Sequence, residues 1–230
     1  MYYVIYVFLI FFIYAVLGYF CEVFGIFINS HKINFSRGYL IRPYLPIFGF
    51  GALIITYYLS KYSNDLVALF ILGSFFCCLL EYLTSFFLEK IFKLRWWDYS
   101  EKKFNLNGRI SLETGIYFGV ASILIVRVVN PINFKIFNLL SHKLLIIISI
   151  ILFIIIFIDF IISTYTICKL NIDSSKLSNK DATKEIREKV KESLKKHRFF
   201  NNRLFKAFPN ITKSNYNLEK IKEFSWRKTK

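Results

Sequence analysis

Residues 81–110, EYLTSFFLEKIFKLRWWDYSEKKFNLNGRI, mark the place where a hydrophobic segment gives way to charged and aromatic residues. Glu81, Ser85 and Glu89 recur every four residues, so on a helix they line one face and step from inside the apolar run to its rim. Trp96 and Trp97 follow, amphipathic rings of the kind that anchor a chain at headgroup level. Asp98, Asn105, Gly108 and Arg109 then lead into the next apolar run. The stretch predicts a helix leaving a membrane, an interfacial loop and a helix going back in. An ionisable group at the depth of Glu81 is costly unless paired, which makes it a candidate site residue.

The whole chain agrees with that reading. Of its 230 residues 55% are hydrophobic and only 20% charged, with 27 Phe and 15 Tyr, a balance that excludes an ordinary soluble core and fits an all-α polytopic bundle. The first segment lacks the basic flank and small-residue cleavage site of a signal peptide, so it is expected to stay as a span. Cys21, Cys77, Cys78 and Cys168 all lie in apolar runs without metal-ligand spacing and read as small buried hydrophobes. No metal or other cofactor is expected.

Apolar runs long enough to cross a bilayer need about 20 residues. Five segments qualify, at about 2–28, 43–60, 66–88, 110–126 and 144–168. The second opens with Pro43 and Pro46 and is expected as a full helix with a kinked start, a re-entrant segment being the alternative. Basic residues outside the spans alternate sharply along the chain. One set of segments holds three, six and eighteen, and the other none, one and three. The positive-inside rule then places the amino terminus outside and the tail in the cytoplasm. This divides the chain into a transmembrane bundle, 1–168, and a basic cytoplasmic tail, 169–230.

In that orientation spans 1, 3 and 5 run inward, and each carries one acid toward its cytoplasmic end: Glu22, Glu81 and Asp159. Arg109 and Glu113 open the fourth span on the same side, and Arg37 precedes the second. Arginine and carboxylate can pair through bidentate bonds. The expectation is therefore a substrate or ion site formed by Glu22, Glu81, Asp159, Arg37, Arg109, Asp98 and Glu113, with Glu81 as its central acid. Stripes of small and polar residues, such as Tyr14, Gly18, Glu22 and Gly25, or Ser111, Gly115, Gly119 and Ser122, should face inward. The bland reading of the same acids is a set of structural pairs.

The tail holds 18 of the 31 basic residues. SNKD at 178–181 reads as a capping box, and Ile186, Val190 and Leu194 repeat at helical spacing, so an amphipathic helix is expected near 179–197. HRFFNNRLFKAF (197–208) mixes basic and apolar residues in the manner that suits an anionic inner leaflet rather than nucleic acid. Residues 210–230 read as weakly ordered.

No GxxxxGK[ST], GxSxG, HExxH or dinucleotide fingerprint is present. If the chain serves an ATP-driven machine, another subunit must supply the motor.

IYAVLGYFCE (13–22), SRGYLIRPYLPIFGFGA (36–52), EYLTSFFLEKIF (81–92) and WWDYSEKKFNLNGRISL (96–112) together resemble the multi-span bacterial membrane proteins named putative ABC-transporter permease, type IV. The chain differs at Arg42, at Phe118 and at Lys93–Leu94, where the family pattern carries glycine, tryptophan and glycine. The resemblance implies a multi-pass protein of the cell membrane, with Glu22, Arg37, Glu81, Asp98 and Arg109 at matching positions. It implies less about activity.

The function expected is a permease-like transport component. Five helices are few for an enclosed path, so a homo-oligomer or a partner such as an ATPase subunit is expected to complete it, with the bilayer around it and anionic lipid at the tail. Two other classes stay open. One is a membrane enzyme acting on a lipid or isoprenoid headgroup, against which stands the lack of a nucleophile or metal set. The other is a scaffold or sensor whose tail docks a partner.

Overall fold

The computed structural model describes residues 2–30, 40, 41, 43–92, 94–178, 212 and 213. Within them the chain is a helical bundle. Helix α1 covers Tyr2–Ser30, α2 Pro46–Ile54, α3 Leu66–Phe92, α4 Leu112–Leu124, α5 Asn130–Leu139 and α6 His142–Ser178. Four helical stretches are long and apolar enough to cross a membrane: Tyr3–Gly25, Leu66–Phe92, Leu112–Leu139 and His142–Tyr165. Their outer surfaces are studded with exposed Phe, Ile, Leu and Val, such as Phe24, Phe75, Phe153 and Ile161. Water would not tolerate a surface of that kind around a whole bundle; hydrocarbon does. The chain is a membrane protein.

The second expected span starts later than 43–60 implied. Its helix starts only at Pro46, continues as a π turn over Ile55–Leu59 and closes in a 3-10 turn at Ser60–Tyr62. The two prolines explain the late start, since each lacks an N–H and pushes the residue before it out of the helical region. Leu45, extended at φ −118° and ψ 101°, instead donates its N–H to the Ala15 carbonyl at 2.9 Å, halfway along α1. Non-helical backbone therefore enters the bundle at depth, where Leu40, Tyr44 and Leu45 are buried inside protein.

The fourth span is longer than expected. Past the expected end near residue 126, α4 runs through a π turn at Ile125–Val129 into α5 and over Pro131 without a break, giving a continuous stretch from Leu112 to Leu139. A π turn is a usual way for a helix to accommodate a residue that cannot donate to the carbonyl four back. The two π turns pack against each other. Beside them Asn130 accepts from the Tyr14 hydroxyl at 2.7 Å and donates to Thr56 Oγ1 at 3.1 Å, a buried polar link joining three helices.

Close packing of α3 on α4 sets the frame for the site. Ser74 Oγ donates to the Gly115 carbonyl and Ser122 Oγ to the Leu69 carbonyl, both at 2.7 Å. A Cβ at Gly119 would stand 2.5 Å from Ser74 Oγ, so only glycine permits this approach. The Ser111, Gly115, Gly119 and Ser122 stripe is buried, as is the Cys77, Glu81 and Ser85 face of α3. Helix α6 runs through the expected 168/169 border without interruption to Ser178. Two short strands, Asn105–Leu106 (β2) and Ile110–Ser111 (β3), form a hairpin between α3 and α4, and Leu94–Arg95 (β1) pairs with Thr212–Lys213 (β4). The expected tail helix at 179–197 and the segment 197–208 lie outside the described residues.

Candidate functional site

The chain between Leu94 and Ser111 is a tightly turned, hydrogen-bonded loop, and its local sequence says why. Asp98 accepts from the Ser100 backbone N–H at 2.9 Å and from its hydroxyl, opening the loop with an Asx turn. The Asn105 side chain donates to the Lys102 carbonyl at 2.7 Å and accepts from the Gly108 N–H at 3.0 Å. Phe104, Asn107 and Gly108 hold φ of 52°, 54° and 66°, and that left-handed run turns the chain tightly enough to pair Leu106 with Ile110. Ser111 and Thr114 then cap α4 reciprocally. Trp97 donates to the Arg109 carbonyl at 2.9 Å, which fixes the turn that carries Arg109 against the end of α3.

Arg109 is thereby aimed at Glu89 and not at Glu81. Its guanidinium lies 2.8 Å from Glu89 Oε2 and 3.2 Å from Ser85 Oγ, and it stacks over Tyr82 and Phe86 with its centre 5.7 and 5.6 Å from the ring centroids. Both partners are largely shielded, with side chains 12% and 16% exposed. Such a pair is costly to break from one side, because the remaining charge stays shielded and unpaired.

Glu81 lies one turn deeper than Ser85 and is 7% exposed. One carboxylate oxygen accepts from the Tyr99 hydroxyl at 3.2 Å. The other is fully buried without a hydrogen-bond partner. Glu22 on α1 comes close enough for its charge to act on Glu81, and Thr114 of α4 stands beside the same carboxylate. Glu81 also lines a cleft of about 70 Å³ between α2, α3 and α4 that opens to the exterior. The rest of its lining is apolar side chains and the Cys77 thiol.

The remaining expected site residues are distributed elsewhere. Asp159 is 4% exposed and accepts from the Ile41 N–H at 2.8 Å, the Tyr44 hydroxyl at 2.7 Å and the Ser163 hydroxyl at 3.0 Å. It pins the extended segment that precedes α2. Glu113 sits at the edge, where Lys102 reaches it at 2.6 Å and Tyr117 donates to it at 3.1 Å; the hydrogen bond to Glu113 holds the Lys102 ammonium above its ordinary pKa. Asp98 shapes the loop. Trp96 is turned inward, 3% exposed, with its ring against Phe92, and Trp97 is half-buried. Arg37 lies outside the described residues. Among the described residues Arg109 pairs with Glu89, Glu113 with Lys102 and Asp159 with the segment before α2, while Glu22 comes near Glu81.

Tyr99 and Thr114 are the residues near Glu81 that the sequence did not single out, because nothing in their local pattern points across to α3. Glu89 was visible on the Glu81 face, but its partner was not.

No group of His, Cys, Asp or Glu able to hold a metal ion occurs among the described residues. A family model described as putative ABC-transporter type IV matches residues 9–164. No curated protein and no solved structure matches the chain.

Proposed function

The chain belongs to the putative ABC-transporter type IV family, and from that premise we propose that it is a permease-like transport component of the cell membrane in which Glu81 meets the transported species. The observation that carries this reading is a carboxylate 7% exposed, with one oxygen lacking a hydrogen-bond partner, lining an otherwise apolar cleft. Buried polar groups are nearly always satisfied, and an unsatisfied one in a membrane bundle points to a ligand. Arg109 and Glu89 brace the end of α3, and Asp159 braces the entry to α2. Glu22 adds a second acid near Glu81. The amino terminus lies outside and the basic tail, residues 169–230, inside, next to anionic lipid.

A transport component without a nucleotide-binding motif needs a motor from elsewhere, so an ATPase subunit is the proposed partner, and the 94–111 loop faces the side on which it would dock. Purification of the complex from native membranes in mild detergent, followed by mass spectrometry, tests this. An ATPase in fixed stoichiometry is expected. A lone homo-oligomer holding one lipid class would move the weight to lipid handling.

A further inference from the structure

We infer that the hairpin between α3 and α4 is a lipid-seated anchor, with Phe104, Leu106 and Leu112 dipping into the headgroup–acyl boundary of the adjoining leaflet. Leu106 stands opposite Ile110 across the hairpin, and the Leu112 N–H carries the pairing one step on to the Phe104 carbonyl at 3.0 Å. The two faces differ sharply. Phe104 is 81% exposed and Leu106 and Leu112 are more than half exposed, whereas Ser111 is buried. Continuity says what covers the apolar side. Leu112 is also the first residue of the span Leu112–Leu139, and from it Ile116, Val120 and Leu124 follow every four residues, each about half exposed, along the side of α4 that hydrocarbon covers. The hairpin extends that surface past the helix end. Its polar groups bond within protein: the Arg109 N–H donates to the Leu106 carbonyl, the Gly108 N–H to Asn105 Oδ1 and the Asn107 side chain to the Tyr82 hydroxyl, each at 3.0 Å. A turn paired in this way loses little on leaving water. Phe104 holds φ 52°, where glycine or asparagine is usual. A ring left in water does nothing to offset that strain, and a ring seated in an apolar layer does. Lys103, exposed beside it, can keep its ammonium at phosphate level. Trp96 and Trp97 do not serve as the anchor, since Trp96 is turned inward and Trp97 is half-buried on the Arg109 carbonyl. The same hairpin holds Tyr99, whose N–H donates to the Gly108 carbonyl at 2.8 Å and whose hydroxyl reaches Glu81.

The test attaches a nitroxide at one position at a time, through Phe104→Cys, Leu106→Cys, Glu101→Cys or Ile116→Cys, in the full-length protein with Cys21→Ser and Cys168→Ser removing the exposed thiols. Power saturation is read in liposomes of phosphatidylcholine and phosphatidylglycerol. Oxygen concentrates in hydrocarbon and a nickel chelate in water, so the ratio of their collisions reports lipid contact. Positions 104 and 106 are expected to give a ratio severalfold above that at 101, approaching that at 116. A ratio at 104 and 106 equal to that at 101 would put the hairpin in water and overturn the inference. Loss of collisions with both reagents at 104 and 106 would overturn it too, because a second copy, a co-purified subunit or the chain's own tail would then cover the face. The label at 106 keeps the test open if Phe104→Cys fails to fold.

Discussion

The Tyr99 hydroxyl donates to the Glu81 carboxylate across 3.2 Å, tying the loop between α3 and α4 to the acid buried in α3. The two residues are eighteen positions apart, and between them lies the Arg109-binding face of α3. A movement of the loop, such as a docking subunit would impose, therefore reaches the Glu81 carboxylate through this hydrogen bond.

Removing that bond should disturb ligand affinity more than stability. Tyr99→Phe is expected to change ligand binding several-fold while costing the fold only about 1 kcal/mol, the usual net contribution of one hydrogen bond. Parallel binding and thermal-unfolding measurements in detergent would check it.

The Arg109–Glu89 pair should behave as a structural brace. Arg109→Gln or Glu89→Gln alone is expected to destabilise by about 3 kcal/mol, because each leaves a shielded charge behind, whereas the double variant should cost less than the two singles together. A double-mutant cycle on thermal unfolding reads the coupling directly. Additive losses would mean that the pair does not interact.

Asp159 is assigned to holding backbone. Asp159→Asn removes the charge that three donors share and is expected to cost about 2 kcal/mol, with Tyr44→Phe costing less. Ligand affinity at the Glu81 cleft should stay within about twofold in both folded variants, as a binding titration beside the unfolding curve would show.

Much of the architecture could be read from the chain because hydrocarbon imposes length and polarity rules that leave few alternatives. The runs that became α1, α3 and α6 needed only their apolar length, and the stripe of Ser111, Gly115, Gly119 and Ser122 marked an inward face, though not which helix packs on it. The differences lie at boundaries: the fourth span runs past residue 126 because a π turn carries the helix on to Leu139, and α2 begins only at Pro46. At the site, charge and depth singled out Glu81. They could not disclose which arginine faced which acid, since that depends on the turn at Asn107–Gly108 that aims Arg109 at Glu89. Asn130, linked to Tyr14 and Thr56 across more than seventy residues, left no local signal.

The close seam gives a prediction with its own control. Gly119→Val should push α3 from α4 and lower stability by about 2 to 3 kcal/mol, as overpacking does. Gly25→Ala, whose added methyl meets nothing within 4 Å, should change it by less than about 1 kcal/mol. Unfolding midpoints of the two purified variants would separate the cases.

The central claim is that Glu81 meets the transported species. It is tested most directly by net flux in membrane vesicles carrying equal amounts of the wild type or Glu81→Gln with their co-expressed partner subunits, over a panel of cationic, anionic and neutral solutes. The account predicts that at least one solute of the panel moves with the wild type and that Glu81→Gln reduces this flux tenfold or more. Unchanged flux of every solute in the folded Glu81→Gln variant would contradict it.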